Sequence, residues 1–141
     1  MSTPTLRFQA DDLLPELPAP GLYPASIQEA RFRRSSTGNR MLQVTYALED
    51  VPSIHCRISE YFVLEGGSSF GLARTRRRLV DLYFAAGFDP KPGDEIAPAD
   101  LVGASLEVEV EHDRWRGQPR LIVIGHRPRR DAGATPLQPP F

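Results

Sequence analysis

One cysteine, one lysine, one tryptophan and three histidines are all this chain holds of four residue types from which recognisable chemistry is often built. With Cys56 alone there is no disulfide framework and no cysteine zinc cluster. His55, His112 and His126 are too dispersed to form a recognisable metal signature. His55 and Cys56 are neighbours in a strand-like stretch, so their side chains point to opposite faces and cannot pair as base and nucleophile. Cys56 reads as a small core residue. The longest apolar runs, such as Leu121-Ile122-Val123-Ile124, are far too short to cross a bilayer. The first residues lack the basic start and apolar stretch of a secretory signal, which predicts a cytoplasmic protein. No glycine cluster is followed by Lys-Ser or Lys-Thr at phosphate-loop spacing. The sequence therefore predicts no enzyme, no metal and no cofactor.

What is present is ordinary for one globular domain: 141 residues, 40% apolar, 25% charged, net charge −1. The fourteen prolines mark its limits, with four in residues 1–20 and four in residues 128–141. The expected organisation is a flexible N-terminal segment (1–19), a folded domain (20–127) and a disordered proline-rich tail (128–141). A domain of that size can bury about 65% of its unfolded-chain surface.

Alternation of period two predicts the strands. Tyr23, Ala25 and Ile27 share one side of the first, which runs to Arg34 before the turn chemistry of Ser35-Ser36-Thr37-Gly38-Asn39. Leu42, Val44, Tyr46 and Leu48 line the second, with Met41, Gln43 and Thr45 outward. Ile54, Cys56 and Ile58 line the third, with His55, Arg57, Ser59 and Tyr61 outward. A helix follows from about Phe70 to Ala86, its stripe made by Leu72, Thr75, Leu79, Leu82, Tyr83 and Ala86. Gly87 is placed to stop it, and Pro98-Ala99-Asp100 suggests one more short turn. Leu106, Val108 and Val110 line the fourth strand, with Glu107, Glu109 and Glu111 on a solvated face. A loop over residues 113–119 leads to the fifth, residues 120–126. The order β-β-β-α-β-β predicts a mostly β fold, a five-stranded OB-like barrel with the helix between strands three and four. An open α+β sheet with one helix across a face fits the same order.

Sixteen of the seventeen basic residues are arginine, a planar fork suited to phosphate and to stacking on bases. A G+C-rich genome produces the same bias, so position matters more than number. Arg31, Arg33, Arg34 and Arg40 flank the first hairpin tip; Arg114, Arg116 and Arg120 flank the second, around Trp115. In an OB barrel those loops border the ligand face, whose floor is strands two and three. Arg31, Arg33, Arg34, Arg40, Arg57, Arg116 and Arg120 are the expected phosphate contacts; Trp115 and Tyr61, then Phe32, are the expected stacking rings. Solvated arginines and a tryptophan folded over the barrel end are the plain alternative. Arg74, Arg76, Arg77 and Arg78 oppose the helix macrodipole. They read as a solvated face paired with carboxylates such as Asp81, or as a second nucleic-acid contact.

The segments Pro20-Gly21-Leu22-Tyr23-Pro24-Ala25-Ser26-Ile27 and Ser36-Thr37-Gly38-Asn39-Arg40-Met41-Leu42 resemble phage and prophage proteins of a domain family long labelled unknown function. Ala85-Ala86-Gly87 and Leu101-Val102-Gly103 are also similar, so the resemblance spans roughly residues 18–127. It implies an OB-fold single-stranded DNA-binding protein of phage-type replication, recombination or repair, with no catalytic residues. Separately, the terminal Pro140-Phe141 resembles the tip with which bacterial single-stranded DNA-binding proteins hold partner proteins, without the acidic run that precedes it there. The expected partners are single-stranded DNA and, through Pro140 and Phe141, replication or recombination proteins. The alternative is a protein-interaction module that uses this tail and has no nucleic-acid affinity.

Overall fold

A computed structural model describes residues 3–7, 17–51, 56–95 and 97–130. The strands β1 (Gly21–Arg34), β2 (Arg40–Leu48) and β3 (Arg57–Val63) precede the helix α1 (Ser69–Ala85). A 3₁₀ turn (Pro98–Leu101), β4 (Ser105–Trp115) and β5 (Gln118–Pro128) follow. The element order is the one read from the sequence. The strands form one open antiparallel sheet in the order β3-β2-β1-β4-β5, with β3 and β5 as its edges. β1 is central because it is long enough for two partners: Gly21–Ser26 pairs with β4, and Ala25–Arg34 with β2.

Alternation places the core on one face. Ala25, Ile27, Leu42, Val44, Tyr46, Ile58, Phe62, Leu106, Val108 and Val110 are buried there, each large aliphatic contributing about 1.5–3 kcal/mol. α1 adds Leu79, Leu82, Tyr83 and Ala85. Its first turn is capped by Ser68, whose hydroxyl accepts from Gly71 N–H at 3.0 Å. Its end is the predicted one: Gly87 has φ +98°, and Phe88 N–H donates to Tyr83 C=O at 2.9 Å with its ring edge-on to Tyr83.

Three local readings need correction. A bulge between Ile27 and Glu29 shifts the phase of β1, so Ala30 and Phe32 take the core-facing rows and Glu29, Arg31 and Arg33 the outer ones. The second hairpin is tight. β4 reaches Trp115 and β5 starts at Gln118, because Arg116 (φ +52°) and Gly117 (φ +79°) form a two-residue turn. Pro119 is tolerated within β5 because that strand is an edge. The acidic face of β4 is not uniformly solvated either: Glu107 is buried and pairs with Arg130 at 3.2 Å. β3 begins at Arg57, while the predicted strand residues Ile54 and His55 lie outside the described residues. Just past β5, Arg129 pairs with Glu49 at 2.7 Å.

The two sheet edges are joined by a buried polar cluster that the sequence reading missed. Glu60 of β3 faces the core and accepts from Tyr46 Oη (2.7 Å) and Arg78 Nη2 (2.8 Å). Its Oε1 also lies 2.7 Å from His126 Nε2 of β5, a side chain only 3% exposed. Burial pushes the Glu60 carboxyl up, but the bonds from His126, Arg78 and Tyr46 outweigh it and hold the group below the usual carboxylate value. Burial, then the Glu60 charge, pushes the Tyr46 phenol well above its ordinary value.

Candidate nucleic-acid interface

Antiparallel partners project to the same side, so the register assigns each candidate residue to a face. On the outer face Arg31, Gln43 and Tyr61 form one row across β1, β2 and β3. Toward the first hairpin tip the next row is Arg33, Met41 and Val63; on the other side comes Glu29, Thr45 and Ser59. Arg57, beside Ala47, lies one row further. The floor is polar and cross-linked. Arg33 Nη1 donates to Gln43 Oε1 at 2.8 Å, Gln43 Nε2 to Ser59 Oγ at 3.3 Å, and Thr45 Oγ1 and Ser59 Oγ share a bond of 2.9 Å. Gln43 and Thr45 are buried on this face and Ser59 is half-buried, whereas Tyr61 is 47% exposed. Arg57 is exposed, and its side chain makes no hydrogen bond or ion pair among the described residues; Arg31 lies 3.8 Å from Glu29, an exposed pair of little strength.

The arginines at the first tip do not act as one group. Arg34 and Arg40 follow Phe32 onto the opposite side of the hairpin. There Arg40 lies over the Phe32 ring at 4.2 Å, and Arg34 pairs with Glu65 at 3.3 Å. Glu65 also accepts from Arg40 N–H at 2.8 Å, tying the hairpin to the chain that leads into α1. Phe32 and Arg40 border a cleft of about 820 Å³ with Arg76, Tyr83 and Phe88. Phe32 is therefore separated from Tyr61 by the thickness of the sheet.

At the second tip Trp115 is 56% exposed, and the guanidiniums of Arg116 and Arg120 lie 5.4 and 5.2 Å from its ring centre. Two cations thus lie against a ring that is more than half exposed. Arg120 also bonds Asp113 at 3.1 Å. The Asp113 carboxyl lies below its usual value, chiefly through the Arg114 backbone N–H and then through Arg120. Among the described residues no hydrogen bond, ion pair or ring contact joins this tip to the first.

The helix cluster divides as well. Arg77 pairs with Asp81 at 3.8 Å, Arg78 turns inward to Glu60, and Arg74 and Arg76 stand exposed without a partner among the described residues. Pro140 and Phe141 lie outside the described residues. Among the described residues no cluster of His, Cys, Asp or Glu is placed to hold a metal ion, and no helix is long and apolar enough to cross a membrane. The chain matches no protein-family model and no curated protein.

Proposed function

We propose that the chain binds single-stranded DNA with little sequence preference, along the outer face of β1, β2 and β3. The proposal includes an OB-like curl of the sheet, in which the Glu60–His126 bond stands in for the ladder between β3 and β5. The strand directions support this. Four antiparallel steps make β3 and β5 parallel, and His126 lies level with Glu60. The second tip then stands before Arg57 on that side, and the first tip stands beyond Val63. Arg57, Ser59 and Tyr61 fall between the two basic tips.

The observation that carries the reading is the row Arg31–Gln43–Tyr61, an exposed cation and an exposed ring on one face of the sheet around a hydrogen-bonded Gln43, with Arg33 and Arg57 to either side. Cations track phosphates and ring faces take successive bases, which requires no sequence match. Trp115, with Arg116 and Arg120 against its ring, extends the same arrangement. Arg34 and Arg40 face the other way and serve the hairpin tip from behind. Phage-type replication, recombination or repair is the setting that the sequence resemblance favours. Pro140 and Phe141 would there recruit further proteins.

Trp115 is the sole tryptophan, so stacking has a direct readout. Addition of oligo(dT) should quench its fluorescence saturably. Tyr61→Ala and Trp115→Ala should each weaken binding by about 1–3 kcal/mol. Unchanged affinity in both variants, with no quenching, would remove the stacking face from the account.

A further inference from the structure

We propose that Arg74, Thr75 and Arg78 form a seat for one backbone phosphate of the bound strand, carrying its path from the outer face over the edge of β3 onto α1. The inference rests on the single-stranded DNA reading and adds a site to it. Positions 71, 74, 75 and 78 recur at helical spacing and so share one side of α1. They border an open notch of about 230 Å³.

The two arginines contribute differently. Arg78 is fixed. Its Nη2 lies 2.8 Å from Glu60 Oε2 and 3.5 Å from the Tyr61 carbonyl, and its guanidinium lies 4.6 Å over the Phe62 ring. Its side chain is nevertheless 43% exposed, so donors not used by Glu60 are open to solvent. Arg74, one turn earlier, is exposed, and its side chain makes no hydrogen bond or ion pair among the described residues. Glu60 balances the charge of Arg78, which leaves the notch with the single positive charge of Arg74. A phosphodiester carries one negative charge and accepts several hydrogen bonds, the complement of that arrangement. No acidic residue occupies the first turn of α1, so nothing there competes for the anion. Tyr61 connects the two surfaces: its ring stands on the outer face and its carbonyl meets Arg78 at the strand edge.

Arg77 supplies the control, because Arg77→Gln and Arg74→Gln remove the same charge from the same helix, and Arg77 points to Asp81 instead of the notch. The full chain and both variants are titrated with a labelled thirty-base oligo(dT) over a range of salt, after thermal melts establish that each variant is folded. Arg74→Gln should reduce the slope of log affinity against log salt by about 0.7, which corresponds to roughly fivefold weaker binding at 0.1 M salt relative to a 1 M reference. Arg77→Gln should leave the slope at the wild-type value. An unchanged slope in Arg74→Gln, or an equal loss in both variants, overturns the phosphate seat while leaving the outer-face reading standing. Failure of the wild-type chain to bind the oligonucleotide overturns both.

Discussion

Replacing Glu60 by alanine should destabilise the fold by about 3–5 kcal/mol, the cost of removing one member of a buried charged cluster. Three donors converge on this carboxylate from different elements: Tyr46 of β2, Arg78 of α1 and His126 of β5. Without it the Tyr46 hydroxyl and the His126 ring are left buried with no acceptor, and the edges of the sheet lose their bridge. Urea or thermal denaturation measures the change, and a loss below about 1 kcal/mol would show that the cluster does not hold the edges together. Acid should act through the same group. Its folded-state value is lowered, so its contribution is complete above the ordinary glutamate value, about 4.3, and drains away as pH falls through the lower folded value. The stability advantage of wild type over Glu60→Gln should therefore shrink as the solution is taken below about pH 4.3. A difference that stays constant with pH would contradict the assignment of that carboxylate as ionised in the fold.

The second large effect concerns the ligand. Arg31→Gln, Arg33→Gln and Arg57→Gln combined remove three cations from the outer face. At about 0.7 per phosphate the salt slope should fall by about 2, with affinity for oligo(dT) near 0.1 M salt reduced roughly a hundredfold. None of the three side chains is buried, so the variant should melt close to wild type. Arg33 is the one whose loss disturbs the floor, because it orients Gln43. If the triple variant binds with the wild-type slope, the strand does not cross this face.

The strands were legible in the sequence wherever alternation was unbroken, as in β2 and β4, because a half-buried sheet imposes period two on its residues. The end of α1 was equally legible, since Gly87 and Phe88 carry a defined capping chemistry. What failed was phase. The bulge at Gln28 leaves no mark in composition, and it decides that Arg31 and Arg33 share a face with Tyr61 while Phe32 and Arg40 do not. The buried cluster did carry a signal that went unread. Continuing the alternation of Ile58 by two and four residues reaches Glu60 and then Phe62, and an acid at a core-facing position of a strand must have partners. Those partners, His126 and Arg78, come from elements 66 and 18 residues away along the chain, so no local pattern could name them.

The claim that single-stranded DNA occupies the outer face is tested most directly by fluorescence anisotropy of a labelled thirty-base oligo(dT) against a matched duplex, over a range of salt. The account predicts saturable binding that favours the single strand. With about four phosphates neutralised, log affinity should fall against log salt with a slope near −3. No binding at low salt, or a slope near zero, would contradict it.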